Sequence, residues 1–308
     1  MYYFIANIHG ASGKALLTWK KVKKLLIEKK VEYKMLLSGG EGHAGELARD
    51  VCRNSDPDKK IIVVGGDGTV NEVLNGIEDF SKVKFGVIPT GSGNDFCRGV
   101  GIKRGSRNTR KVFEKILSST GDVLMDLGKV TADGITRYFG ISSGIGMDAI
   151  VTKKVNESKL KTLLNKMMFG GSVYILITLY TLATMEFYKA KAIFDGKEKT
   201  DFKKLIFLAG MNLAAEGGGV KMAPKAVRDD GYLTCCAADG VPRCLVYGVF
   251  PFLILGLHEK LKGFTVKKFS TLEIDSEKPL VLHTDGEYVC DAKHVKWEVL
   301  PGVLRILN

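Results

Sequence analysis

No C-x-x-C pair occurs among the six cysteines, Cys52, Cys97, Cys235, Cys236, Cys244 and Cys290, so no structural zinc is expected and a reduced cytoplasmic compartment is. The opening Met1 to Asn7 lacks a basic n-region and a small-residue cleavage site, and it reads as a first strand instead of a signal peptide. Long hydrophobic runs are missing too: 169–185 and 245–257 are interrupted by Gly, Ser, Thr, Tyr or Pro and are too short to span a bilayer. There is no internal repeat and no low-complexity segment. His43, His258, His283 and His294 form no i, i+4 ligand pair, so each reads as solvent-facing or as a satisfied polar group. The first glycine loop, Gly10-Ala-Ser-Gly13-Lys14-Ala15, is two residues short of a Walker A loop and ends in Ala where Ser or Thr would hold Mg²⁺. Protein-kinase signatures are absent as well.

Glycine, by contrast, is abundant: 36 of 308 residues, about 12% against a usual ~7%, implies tight turns or close backbone approach. Hydrophobic residues at 45% and charged residues at 26% exclude disorder and leave a globular chain of one large or two ordinary domains. The formal net charge is +12, which calls for an anionic partner: nucleic acid, a phosphorylated ligand or a membrane surface.

The first ~125 residues alternate strand and helix signals as βα units do. Strands are predicted over 2–7, 31–37, 61–64 and 85–89. Helices are predicted over 14–30, 44–52, from Thr69 and over 107–118, the first with Leu16, Trp19, Val22 and Leu26 on one buried face. After Asp126 the rhythm changes. Asp-Gly pairs at 133–134, 195–196, 230–231, 239–240 and 285–286 signal hairpins, because both turn positions tolerate positive φ. The expectation is therefore an α/β chain: a Rossmann-like three-layer domain over 1–125, then a β-sandwich-like antiparallel domain over 126–308. The last segment is expected to return to the first domain, and helices over 159–184 and 242–259 interrupt the second.

The most specific motif is the run IIVV-GGDGT at 61–69, a buried strand entering a glycine turn and then a helix. Backbone N–H groups and the positive helix terminus converge there, which suits phosphate. Asp67 among the glycines suits a divalent metal between carboxylate and phosphates, as phosphoryl transfer needs; the alternative is a tight turn capped by Asp67. A second strand-to-glycine turn, Pro89-Thr-Gly-Ser-Gly-Asn94, offers Ser92 and Asn94 as nucleotide contacts at the same sheet edge. Gly144-Ile-Gly146-Met-Asp-Ala149 matches a dinucleotide fingerprint formally but does not head a βαβ unit, so it reads as a packing turn.

Taken together, GGDGTVNEVLNG at 65–76, PTGSGNDFCR at 89–98, MDLG at 125–128, FGISSGIGMDA at 139–149, GGGVKMAPKAVRDDGYL at 217–233 and TDGE at 284–287 make the sequence resemble the diacylglycerol kinase catalytic-domain family of bacterial lipid kinases, related to sphingosine and ceramide kinases. That resemblance implies a nucleotide-binding domain, a sandwich-like domain and a cleft in which ATP phosphorylates a lipid hydroxyl. It implies ATP contacts from Ser12, Gly13, Ser38, Gly66, Asp67, Gly68, Thr69, Val70, Asn71, Glu72 and Ser92. It also implies a catalytic Mg²⁺ organised by Asp67 and Asp126, Glu287 as general base, and a structural Mg²⁺ on Asp230 with the carbonyls of Val227 and Tyr232. The family's usual opening N-P-x-x-G is replaced by Asn7-Ile8 and a longer loop.

Three other functions compete. An NAD kinase or phosphofructokinase-like enzyme shares GGDG but not PTGSGNDF with a late TDGE. A non-catalytic lipid or anion binder is expected to lack Asp67 or Glu287, and both are present. A nucleic-acid binder is disfavoured because the basic run 103–111 has no interleaved aromatics. The expected partners are a neutral lipid, most simply diacylglycerol, and an anionic membrane surface. Peripheral docking is expected through Lys103, Arg104, Arg107, Arg110 and Lys111, or through Lys153, Lys154, Lys159 and Lys161, and a homodimer is compatible with the sequence.

Overall fold

The computed structural model describes residues 1–8, 14–91, 93–157, 177 and 180–308, in two compact units: Met1–Leu127 with Pro301–Asn308, and Gly128–Leu300.

The first unit alternates β1 (Tyr2–Ala6), α1 (Lys14–Glu28), β2 (Tyr33–Leu37), α2 (His43–Arg53), β3 (Lys59–Gly65), α3 (Asp67–Gly76), β4 (Val83–Pro89), α4 (Asp95–Gly99) and α5 (Thr109–Ser118). The four strands are parallel in the order β2-β1-β3-β4. Right-handed crossovers from that order put α1 on one face and α2 and α3 on the other, giving three layers. Ile61, Ile62, Val63 and Val64 are all fully buried, as β-branched runs covered on both faces should be. On α1 the buried seam is Ala15, Thr18, Trp19, Val22, Leu25 and Leu26, while Leu16 is 39% exposed. Trp19, Val22 and Leu26 of the expected stripe are therefore buried, and only at its first position does Ala15 stand in for Leu16. Phe4 of β1 meets Trp19 of α1 and Phe113 of α5 with ring centroids 6.0 and 6.5 Å apart. Since the chain reverses strand order after β2, the carboxyl ends of β1 and β3 flank the topological switch point, where open α/β sheets bind ligands.

The second unit is antiparallel. It contains β5 (Val123–Ala132, which begins in the first unit), β6 (Ile135–Phe139), β7 (Ser142–Gly146), α6 (Met147–Glu157), β8 (Tyr188–Phe194), β9 (Glu198–Met211), β10 (Leu233–Asp239), α7 (Arg243–Leu255), β11 (Phe264–Phe269), β12 (Thr271–Thr284) and β13 (Glu287–Ile306). The end of β13 lies in the first unit, where Arg305 and Ile306 pair in parallel with Lys84 and Phe85 of β4. Both β7 and β8 pair with β9 and with β12. Buried side chains from strands throughout this unit, among them Phe139, Ile145, Phe194, Phe269, Leu282 and Trp297, form one core.

Three of the five Asp-Gly pairs are the expected hairpin turns with both residues left-handed: Asp133-Gly134, Asp195-Gly196 and Asp285-Gly286. At 230–231 and 239–240 only the glycine has positive φ. Asp239 ends β10 by accepting the Lys204 N–H at 2.7 Å, and the chain then enters α7 instead of a partner strand. The helix expected over 159–184 lies mostly outside the described residues.

Candidate active site

The GGDG turn is built at the end of β3, where Gly66 caps α3 and Asp67 is the first helical residue. The Asp67 carboxylate does not cap its own helix. Its Oδ2 accepts the Asp95 N–H at 3.0 Å and its Oδ1 the Phe96 N–H at 3.1 Å, both from the first turn of α4 after β4. The two glycine turns also touch backbone to backbone: a Cβ on Gly91 would sit 2.8 Å from the Gly66 Cα, and one on Gly66 3.2 Å from the Gly91 Cα. The Thr90 N–H reaches the Gly65 carbonyl at 2.9 Å. Adjacent parallel strands thereby deliver two glycine-rich turns to one place, with a carboxylate joining them.

Burial pushes the Asp67 carboxyl above the ordinary carboxylate range, against the lowering pull of the Phe96 N–H and of Arg98 and Arg104. Each of its oxygens retains a lone pair beyond the N–H it accepts, and a cation would relieve the desolvated charge, so Asp67 fits a metal-bridging role. Among the described residues no cluster of three or more His, Cys, Asp or Glu assembles a metal site from protein groups alone. Any ion here would take the rest of its shell from ligand oxygens and water.

The other expected ligand residues divide. Thr69, Val70 and Asn71 are buried in the first turns of α3, with Gly68 half-buried beside them. Asn7 Nδ2 lies 3.5 Å from Thr69 Oγ1, joining the end of β1 to this turn. Ser38 is buried at the end of β2, with its hydroxyl donated to the Gly40 carbonyl at 3.1 Å. Glu72 faces α2, where its Oε2 accepts the Ala44 N–H at 3.1 Å and satisfies a helix-start donor. Asn94, offered as a nucleotide contact, has both ends of its amide engaged with the backbone of Gly91, so it shapes the turn. Ser12, Gly13 and Ser92 lie outside the described residues. Asp126, in β5, is 2% exposed, and its Oδ1 accepts the Gly302 N–H at 2.7 Å.

In the second unit, Glu287 opens β13 opposite Thr284, across the two-residue turn Asp285-Gly286. It is half-buried. What holds this turn is Asp285, whose carboxylate accepts three N–H groups, from Gly140 at 3.0 Å, Ile141 at 2.8 Å and Ser142 at 3.0 Å. Its own N–H donates to the Ser142 carbonyl at 2.8 Å. Behind the turn lies a buried polar group the sequence reading did not single out: His283 on Asp148 at 3.1 Å, Glu216 on the Ser142 hydroxyl, and Trp297 Nε1 on Ser143 Oγ at 3.0 Å. The signal for it is weak in sequence, because its members come from four separate segments.

Asp230 sits in its own turn, accepting the Tyr232 N–H at 3.1 Å, and its other oxygen is paired with Lys268. Val227 and Tyr232 are exposed. With an ammonium already neutralising its only carboxylate, this donor set does not fit a divalent cation as it stands.

Two family models divide the chain between them: the diacylglycerol kinase catalytic domain matches residues 1–130, and the YegS C-terminal NAD kinase beta sandwich-like domain matches residues 141–308. The Bacillus subtilis (strain 168) protein YtlR is 31% identical, with 93% of each chain covered. A diacylglycerol kinase of Staphylococcus carnosus (strain TM300) is 31% identical over 74% of this chain and 70% of its own. The crystal structure of a diacylglycerol kinase from Bacillus anthracis str. Sterne covers 99% of this chain and 96% of its own, with a TM-score of 0.63 at 19% identity. Two domain models in the expected order, on a fold whose two glycine turns are joined through Asp67, make this chain a member of the diacylglycerol kinase catalytic-domain family of lipid kinases.

Proposed function

We propose that this kinase transfers the γ-phosphoryl group of ATP to the hydroxyl of a neutral lipid, diacylglycerol first, giving phosphatidic acid. The observation that carries this reading is the Asp67 clamp, which holds two glycine-rich turns together at the carboxyl ends of β3 and β4. Backbone N–H groups in such turns suit a polyphosphate. ATP contacts are assigned to Ser12, Gly13, Ser38, Gly66 to Asn71 and Ser92. Glu72 is retained as a residue that supports α3 through α2. Relatives named diacylglycerol kinase support the choice of acceptor.

Glu287 is assigned as general base. It takes the proton of the lipid hydroxyl as that oxygen forms its bond to the γ-phosphorus, and the bond from that phosphorus to the β-phosphate oxygen breaks to release ADP. Mg²⁺, when bound, neutralises charge on the phosphates, and Asp67 with Asp126 would hold it. The structural Mg²⁺ reading at Asp230 requires Lys268 to be displaced first.

The deciding experiment is transfer of radiolabel from ATP to a panel of micellar lipids, with NAD and fructose 6-phosphate as competing acceptors. Label is expected in phosphatidic acid, only with Mg²⁺ present. Label in NADP or in a sugar bisphosphate, with none in lipid, overturns the reading.

A further inference from the structure

His283 is the penultimate residue of β12 and is fully enclosed in the second unit, 2% exposed. Its two ring nitrogens are both engaged. Nε2 lies 3.1 Å from Asp148 Oδ2, and Nδ1 accepts the N–H of Gly286, the second residue of the Asp285-Gly286 turn, at 3.3 Å. Its own carbonyl accepts the Ser143 hydroxyl at 2.8 Å. The strand register shifts between Leu282, which faces Cys290, and His283, which faces Tyr288, so a bulge at Val289 sets the twist of the hairpin end beside it. The space for the pair is kept by Gly144, where a Cβ would fall 2.1 Å from Asp148 Oδ2 and 2.8 Å from His283 Nε2.

From this geometry we propose that His283 is a positioning residue for the turn that carries Glu287: anchored on Asp148 through Nε2, it holds the Gly286 N–H on Nδ1 and so fixes the hairpin tip one residue before Glu287. The proposal rests on the assignment of Glu287 as base. A nitrogen that accepts an N–H carries no proton of its own, so this state of the turn belongs to the neutral ring with its proton on Nε2, facing Asp148 Oδ2. Protonating Nδ1 replaces the acceptor by a donor and expels the Gly286 N–H.

The groups facing the ring are Asp148 of α6, Glu216 of the loop after β9, Asp285 of the turn and the cross-strand neighbour Tyr288. Cys236 of β10 stays a thiol, pushed far up by burial. Burial alone would disfavour the imidazolium, yet Asp148, Glu216 and Asp285 outweigh it and hold His283 above the ordinary histidine value. Release of the turn therefore falls above the ordinary histidine value, well clear of the range in which an ordinary glutamate base titrates.

The test compares wild type with His283→Asn, whose amide oxygen can stand where Nδ1 stands, and His283→Gln, whose amide nitrogen can stand where Nε2 stands. Diacylglycerol kinase activity in mixed micelles is followed from pH 5.5 to 8.5, with Glu287→Gln as reference. An acid limb in kcat above about pH 6.5 is expected in wild type and is absent in His283→Asn. At pH 8 His283→Gln should fall at least ~10-fold below His283→Asn, with KM for ATP within about 2-fold. The same limb in His283→Asn, or equal rates for the two variants, overturns the proposal. A second readout does not depend on catalysis. In [¹⁵N]glycine-labelled full-length protein the Gly286 amide should titrate with the wild-type limb and be flat in His283→Asn, and a flat wild-type amide overturns the coupling. If Glu287→Gln keeps wild-type turnover while Gly286 titrates, it is the assignment of Glu287 that fails, and the catalytic role of His283 fails with it.

Discussion

Asp67 joins two glycine turns with one carboxylate, and the metal role assigned to it draws on the same group. Its oxygens accept the Asp95 and Phe96 N–H groups that bind the second glycine turn to the first, and its charge, disfavoured by burial, is available to a cation. Asp67→Asn keeps the shape but puts an NH₂ against one of those N–H donors and removes the charge. Turnover with diacylglycerol should fall at least ~100-fold, the scale of losing one strong electrostatic contributor; turnover near wild type in a steady-state assay would refute the role. Glu287→Gln should cost ~10² to 10⁴ in kcat while ATP affinity, read by isothermal titration, stays near wild type. Collapse of ATP binding would make Glu287 a ligand or a structural residue. At this scale the sequence made Asp67 conspicuous, because an acid among glycines after a buried strand has few other uses. It did not reveal that Glu72 caps α2 or that Asn94 folds onto Gly91. Both are polar residues inside a motif, and only tertiary contacts tell a ligand from a brace.

Elements are held to one another by features of different legibility. Asp-Gly marked the hairpins wherever both residues are left-handed, and it misled at 239–240, where the aspartate instead takes an N–H from Lys204. The close crossing of α2 and α3 left no such mark, although it depends on two glycines: a Cβ on Gly76 would fall 2.1 Å from the Gly45 carbonyl oxygen, and one on Gly45 2.8 Å from the Glu72 carbonyl oxygen. Gly76→Ala should therefore destabilise by about 1–3 kcal/mol or more through overpacking, read as a lower urea midpoint. An unchanged midpoint would mean the helices can part at no cost. The β12–β13 hairpin end carries a second consequence, for pH. His283 is held above its ordinary value chiefly by Asp148, against burial, so the folded chain binds the extra proton. Its stabilisation is complete below the unfolded value of about 6.5 and is lost as pH rises through the folded value. Glu216, raised by burial, acts with the same sign. Stability by denaturant titration should therefore decline as pH rises above about 6.5 in wild type and decline less in His283→Asn, and equal slopes would remove His283 as the cause.

The whole molecule must reach an insoluble acceptor, and no described helix is long and apolar enough to cross a membrane. The net charge of +12 supports docking on anionic lipid, each basic residue near the surface contributing ~1 kcal/mol and the attraction fading within a Debye length. Several of the expected basic residues have other employment. Arg110 is paired with Glu28 and Glu114, Arg104 donates to the Gly93 carbonyl, and Lys153 is paired with Asp291. Lys159 and Lys161 lie outside the described residues. Lys103 and Lys111, with Lys115, instead rim a small apolar cavity of about 120 Å³ floored by Ile102, Val112, Ile116 and Leu307. The second unit offers an apolar element as well: on α7 Leu253 is buried, whereas Leu245, Tyr247, Phe252, Ile254 and Leu255 are exposed. An exposed helix this apolar calls for a partner, and the exposed Lys260 and Lys262 that follow it suit a helix lying in an anionic interface. Phe252→Ser with Leu255→Ser, three apart on one face, removes two side chains worth ~1.5–3 kcal/mol each when buried. Vesicle sedimentation should show at least ~10-fold weaker partitioning for that double variant at low salt. Wild-type binding should rise with anionic lipid content and fall with salt. Binding indifferent to salt, to lipid charge and to the two serines would show that neither the basic surface nor α7 carries this kinase to its substrate.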